Sequence, residues 1–403
     1  VSDSILSQVA LSYSPMVDRL RAVTATRLTV FPLVPGAPLD AGALLSEIAT
    51  VWPQGGAQVS LNVLSESLLQ DLLVAAPSPN VMIEIPAFMA ADENHTEAIK
   101  VLHASGNTLL LKGRPLRELP REVLPCFRHS IIALADDRRV GESSSPQGVQ
   151  RTIGYVQSGV RTIADMEASF SRGATAVLGW PMDDALEQAA VKSGGSGNKT
   201  VGTDLQVIVE LIHRVDQHEP IEKLETTLRR DPTLAFKLMR YINSPAFGLS
   251  VEISSFRHAI MMLGYNRLKR WLALLLATAS KDANLKPVMF AAVRRGMLME
   301  ELVRPLGDEE MKGELFICGV FSLLDRVFRQ SFAELLQTIP VPERVYQALA
   351  ENSGPYQPYC ALVQAVEGDE LEPIRQACDG LISGPKETNR ALLQALATAA
   401  QLD

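Results

Sequence analysis

Five polar residues stand late in, or just after, short apolar runs in the first half of the chain: Asn62, Glu84, Lys112, Asp136 and Gln157. Carboxylate and amide oxygens gathered at one edge of a sheet hold divalent cations, which activate water and stabilise charge on a phosphoryl group. Lysine or arginine at the same edge pairs with phosphates instead. The runs that position these residues are Val59–Val63, Val81–Ile85, Leu109–Leu111, Ile131–Leu134, Ile153–Val156 and Ala176–Leu178. Helical stretches such as Ser65–Leu73 and Thr162–Ser171 lie between them. Strands apolar on both faces that alternate with helices indicate a parallel sheet covered by helices. An open doubly wound sheet and a closed barrel both fit. In either, the site lies at the edge where the polar residues fall.

Other chemistry is sparse. There is no GxSxG, no P-loop and no GxGxxG after a strand. His258 lies between Phe256 and Ile260 with no second histidine at metal spacing, which predicts a structural histidine. His213 and His218 flank Asp216, but five residues turn a helix by about 500°, so on one helix they do not share a face. Cys126, Cys318, Cys360 and Cys378 show no CxxC spacing and read as reduced, mostly buried thiols.

The chain has 403 residues, 47% of them hydrophobic and 21% charged, with a net charge of −8. That suits two or three globular domains. Residues 1–190 carry 14 basic and 20 acidic groups, and residues 204–403 carry 22 and 26. Neither half has the basic excess that nucleic acid binding needs. The cluster Arg267, Lys269 and Arg270 reads as a solvated helix face. The apolar run Trp271–Ala279 is too short to span a membrane, so no membrane insertion is expected. Asp3, with no basic residue ahead of the apolar positions, does not suit a secretory signal.

The segment KSGGSGNK, from Lys192 to Lys199, is a flexible linker by composition. It predicts one domain over 1–190, a linker over 191–203 and a second domain over 204–403. The second half is helical by pattern. Thr203 to Gln206 forms a capping box, and Leu205, Ile208, Val209, Ile212 and Val215 follow at helical spacing. Asp231 and Pro232 open another helix. Ser254 or Ser255 caps a short helix ending at Gly264. Arg267–Ser280, Phe290–Val303, Leu315–Phe328 and Val341–Ala350 continue the series.

Five motifs occur in order: SPMVDRLRAVTATRL at 14–28, VSLNV at 59–63, VMIEIP at 81–86, SGVRT at 158–162 and LGWP at 178–181. Together, over about residues 11–185, they resemble the EAL domain, a barrel-fold phosphodiesterase of cyclic di-GMP. The resemblance implies that Asn62 and Glu84 are remnants of its metal site. It also implies that other ligands are replaced: Arg27 at the signature glutamate, Lys112 and Gly113 at paired aspartates, Ser158 and Arg161 at two glutamates, and Ala87 at another. A cation in place of a ligand opposes metal binding. Lys112, Arg114 and Arg161 are the candidate phosphate-pairing cations if the dinucleotide is bound, or else they pair with Asp136, Asp137 or Glu84. Asp136, Asp137 and Glu142 are the alternative ligands if hydrolysis survives.

The stretches DPTLAFKLMRYINSPAFG at 231–248 and SSFRHAIMMLGYNRLKRWL at 254–272 resemble the HDOD domain, a relative of HD phosphohydrolases, as does LFICGVFSLLD at 315–325. The resemblance puts Ser322 and Leu323 at the His-Asp dyad and Arg295 near a further metal histidine. A hydroxyl and an isobutyl group cannot replace imidazole and carboxylate as ligands. The chain is thus similar to EAL–HDOD signalling proteins of bacteria. The expected fold is α/β plus all-α, a degenerate EAL-type (β/α) barrel followed by an all-helical HDOD domain. The expected role is cytoplasmic signal transduction through an unidentified protein partner, with no catalysis, no metal and no cofactor. A cyclic di-GMP receptor and a residual phosphodiesterase are the alternatives.

Overall fold

The computed structural model describes residues 4–137, 153–184, 203–228, 256–278, 282–306, 308–339 and 341–400. Eight strands close into a barrel in chain order: β1 Val9–Asp18, β2 Val23–Pro32, β3 Gln58–Val63, β4 Val81–Pro86, β5 Leu109–Lys112, β6 Phe127–Ala133, β7 Gly154–Val160 and β8 Ala176–Gly179. The closed barrel is therefore the alternative realised. The six apolar runs of the sequence are β3 to β8. Two of the covering helices start at side-chain caps: Ser65 Oγ accepts from Leu68 N at 3.3 Å and Thr162 Oγ1 from Asp165 N at 2.9 Å.

An all-parallel sheet is corrected at one strand. β1 runs antiparallel to both β2 and β8, and β2 to β8 are parallel. The β1–β2 hairpin turns on Asp18, whose Oδ1 accepts from Leu20 N and Ala22 N at 2.8 and 2.9 Å. Arg21 supplies the left-handed residue, φ 62°.

Side chains alternate across a strand, so every second residue faces the barrel interior. Met16, Ala25, Met82, Leu110, Ile131, Val156, Ala176 and Leu178 form one buried apolar layer. Two residues further along β2, β4, β5 and β7, the inward positions hold Arg27, Glu84, Lys112 and Ser158. An apolar floor thus lies beneath a polar mouth at the carboxyl ends of the parallel strands.

The barrel wall is completed from a distance. β1 meets β8 only through Met16–Asp18. Beyond that, residues near the end of the chain take the place of a strand. Tyr13 N donates to Val366 O at 2.8 Å and Leu11 N to Asn389 Oδ1 at 3.0 Å. Asn389 Nδ2 donates to Leu6 O and Val9 O at 2.8 and 2.7 Å, and Trp180 Nε1 to Glu367 O at 2.9 Å. The compact units are Val1–Asp184 with Gln364–Leu393, and Ala185–Val363 with Gln394–Asp403. The expected division at 1–190 and 204–403 is corrected accordingly, because β1 needs these backbone partners. The linker at 192–199 lies outside the described residues.

In the second unit no strand occurs among the described residues. Its helices include Thr203–Asp216, Ile221–Leu228, Lys286–Val303, Glu309–Phe321 and Glu343–Ala350. Phe256–Ala277 is helical with a break at Gly264, φ 69° and ψ 172°, where the sequence predicts an end. The motif at 231–248 lies outside the described residues. Two expectations are corrected. His218 is past the helix end at Asp216, in a left-handed turn of φ 51°, so it does not share a helix with His213. Leu315–Phe328 is not one helix: Glu309–Phe321 stops, Ser322 and Leu323 break the path, and Leu324–Phe328 follows.

Candidate functional site at the barrel mouth

Arg27 from β2 and Lys112 from β5 bracket Asn62 from β3 and Glu84 from β4. Arg27 grips Glu84 with two parallel bonds, Nε to Oε1 at 2.7 Å and Nη2 to Oε2 at 2.6 Å. Both side chains are buried, Glu84 completely. Ser60 Oγ donates a third bond to Glu84 Oε1 at 3.0 Å. Fork-on-fork pairing of this kind is the strongest form of charge-assisted hydrogen bond. Lys112 Nζ lies 2.6 Å from Asn62 Oδ1, and Asn62 Nδ2 donates to Thr29 Oγ1 at 3.1 Å. Both carboxylate oxygens of Glu84 and the amide oxygen of Asn62 are therefore engaged by cations that reach across one intervening strand.

The electrostatics follow from burial. Burial by itself lowers the Arg27 pKa, but the charge and hydrogen bonds of Glu84, with Asp369 in support, lift it above the usual guanidinium value. Burial takes the Lys112 ammonium below its ordinary value, with Glu84 and Asp369 opposing and Arg27 assisting. Asp369 arrives from the Gln364–Leu393 segment and places Oδ1 3.9 Å from Arg27 Nη1.

The other expected residues divide. Ser158 faces inward on β7. Gly113 follows β5 with φ 83°, and Ala87 is buried at the start of the short helix Ala87–Ala90 after β4. Arg161 is not a mouth cation: it is mostly exposed and its Nε binds Asp183 at 2.8 Å, which corrects the expectation. Arg114 lies 3.9 Å from Asp137, whose other oxygen is 3.8 Å from Arg172, so the buried Asp137 sits between two guanidinium groups. Asp136 closes a short turn after β6, and Glu142 lies outside the described residues. A cavity of about 1320 Å³ opens beside the mouth, lined by Leu64, Phe88, Lys112, Arg114, Leu116 and Arg117 among others. Ser60 and Thr29 were missed, although Ser60 shares the inward face of Asn62 by period two. Asp369 has no local signal at all.

In the helical unit, Ser322 Oγ donates to Gly319 O at 2.7 Å and accepts from Arg295 Nη1 at 3.1 Å. Leu323 is buried, 2% exposed. The Ser322 hydroxyl thus links Gly319 to Arg295, with Leu323 shielded from solvent beside it. Among the described residues no three His, Cys, Asp or Glu side chains form a metal-holding group. No helix among them is long and apolar enough to cross a membrane.

Residues 202–339 match the HDOD domain family. Over 343 residues the chain is 22% identical to the Cyclic di-GMP phosphodiesterase CdgJ of Vibrio cholerae serotype O1, covering 83% of this chain and 77% of that one. Over 170 residues it is 29% identical to the Uncharacterized protein YuxH of Bacillus subtilis, 40% of this chain and 41% of that one. Among solved structures, the EAL-like domain protein YdiV is 12% identical with a TM-score of 0.32, covering 44% of this chain and 94% of that one. An HDOD domain protein of Geobacter sulfurreducens is 15% identical with a TM-score of 0.36, covering 55% and 99%. The similarity to a named phosphodiesterase over most of the chain corrects the expectation that this protein is not an enzyme. A closed eight-stranded barrel and a segment that matches the HDOD domain family, residues 202–339, are thus the two parts of the architecture.

Proposed function

We propose that this chain serves cyclic di-GMP-linked signalling. Its barrel mouth meets the phosphodiesters of the dinucleotide through Arg27 and Lys112, and its helical part relays the state of the mouth by contact with a signalling protein. The observation that carries this reading is the pair of inward cations at the carboxyl edge of the barrel. A guanidinium has five N–H donors, and the Glu84 pair uses two. Nη1 faces the exposed carboxylate of Asp369 at 3.9 Å, a weak contact that a phosphodiester oxygen can displace. The similarity to a cyclic di-GMP phosphodiesterase supports the choice of dinucleotide.

A divalent cation does not fit this mouth as arranged. The oxygens it would need are those that Arg27 and Lys112 hold. Titration calorimetry of the full chain with cyclic di-GMP, with EDTA present, tests the reading. Metal-free binding is expected, weakened about ten-fold or more in Lys112→Met, the loss that a charged hydrogen bond carries. Absence of binding at millimolar dinucleotide would overturn it.

A further inference from the structure

The four cysteines are not equivalent. Cys126 Sγ lies 3.5 Å from Glu122 O, and Cys378 Sγ lies 3.4 Å from Thr388 Oγ1. Each has an oxygen partner. Cys318 and Cys360 face one another with sulfurs 3.8 Å apart, on helices Glu309–Phe321 and Gln357–Ala365. Cys318 is fully enclosed, whereas Cys360 keeps 7% of its surface in solvent.

Their surroundings distinguish the two. Cys318 lies within one turn of Glu314, whose carboxylate binds Tyr356 Oη at 2.7 Å and Arg344 Nε at 3.0 Å. Gly319, its neighbour, presses on Arg295 so closely that a Cβ there would come within 2.6 Å of the Arg295 carbonyl. The charge of Arg295 reaches Cys360. The hydrogen bond from Cys318 and then that cation bring the Cys360 thiol below its ordinary pKa, against burial, while the bond to Cys360 and burial raise Cys318.

We propose that Cys318 and Cys360 form a reversible disulfide with a hydroperoxide as oxidant, Cys360 being the thiol attacked first and Cys318 the resolving one. The Cys360 thiolate takes the terminal oxygen of the hydroperoxide. An S–O bond forms, the O–O bond breaks, and the alkoxide (hydroxide where the oxidant is hydrogen peroxide) leaves and takes up the thiol proton. Cys318 sulfur then attacks the sulfenic acid. The S–S bond forms, the S–O bond breaks, and water leaves with the Cys318 proton. The sulfurs close from 3.8 Å to about 2.05 Å, a side-chain rotation between two facing helices.

The test is peroxide titration of the folded full-length chain, followed by unfolding in alkylating reagent and peptide mapping. A Cys318–Cys360 disulfide is expected at a dose about ten-fold below that which modifies Cys126 or Cys378, and dithiothreitol should reverse it. In Cys318→Ser, a sulfenic acid trapped at Cys360 by dimedone is expected. The wild-type map needs no variant to fold. Free alkylation of Cys318 and Cys360 at doses that already oxidise Cys126 or Cys378 would overturn the proposal. So would a disulfide that forms only in urea.

Discussion

Replacing Asn389 by alanine should open the barrel. Asn389 is 2% exposed and makes three bonds to β1 and its approach: it accepts from Leu11 N and donates to Leu6 O and Val9 O. At about 1 kcal/mol net per bond the loss is about 3 kcal/mol. The alanine also leaves one N–H and two carbonyls facing a buried seam, and each unsatisfied group adds to the cost. We expect about 3–5 kcal/mol in all, a large share of the stability of a domain. Global unfolding of a chain with two units is not a two-state process, so a local probe is the better assay. Hydrogen exchange at Leu11 and Tyr13 should lose roughly 10²- to 4 × 10³-fold of its protection, since about 1.4 kcal/mol is one decade. Gln394→Ala, exposed on the same helix, is the control and should leave β1 protection unchanged. Asn389→Asp keeps the acceptor but sets a carboxylate against two carbonyls, so its loss should match alanine at neutral pH and shrink on acidification. If Asn389→Ala melts with wild type and the β1 amides stay protected, then Gln364–Leu393 does not complete the barrel and the two-unit division is wrong.

A chain ending at residue 190 should fail to protect Leu11 and Tyr13, and adding Gln364–Leu393 through a short linker should restore protection. Arg27→Ala leaves the buried Glu84 uncompensated and should cost about 3–5 kcal/mol, most of it recovered by Glu84→Gln in the same chain. With manganese present, cyclic di-GMP hydrolysis should be faster in Arg27→Ala than in wild type, and equal rates would show that Arg27 does not obstruct a cation. Ser322→His with Leu323→Asp should lower the melting temperature, because Leu323 is buried and Ser322 holds the helix break; an unchanged melt would refute this. Burial raises the Asp325 pKa, so the folded state binds its proton more tightly than the unfolded chain does. Its stabilising contribution is complete at low pH and falls from about pH 4 upward, and a pH series on Asp325→Asn should show that fall flattened.

What was legible in the sequence was what neighbouring residues decide. β3 to β8 announced themselves as apolar runs bounded by caps such as Ser65 and Thr162. The β1–β2 hairpin did not, because its inward positions are Ser12, Ser14, Arg27 and Thr29, which interrupt the apolar pattern while remaining buried. The mouth residues Arg27, Asn62, Glu84 and Lys112 were found as positions, whereas their pairing depends on register across four strands. The break at Ser322 was hidden in an apolar run, since one serine hydrogen bond to Gly319 decides it. The seam was beyond reach. Nothing near Asn389 records that it will meet Leu11, 378 residues earlier.

The arrangement at the mouth has an electrostatic logic. The strand order β2–β3–β4–β5 puts the two acceptors, Asn62 and Glu84, on the inner pair and the two cations on the outer pair. A buried carboxylate with no counter-charge costs several kcal/mol, so Glu84 on an apolar floor demands a positive partner. A bound metal is one way to supply it. Arg27 is another, and it comes covalently attached, with an attraction of about 5 kcal/mol for a pair near 3 Å at an effective dielectric of 20 before desolvation is subtracted. Each cation then satisfies its own acceptor. It follows that changing one cation alone should unbalance the mouth: Arg27→Glu would set two buried carboxylates side by side while Lys112 still held Asn62. Divalent binding should therefore respond cooperatively to Arg27→Glu and Lys112→Asp together, and additive effects of the two changes would show that the pairs do not share one field.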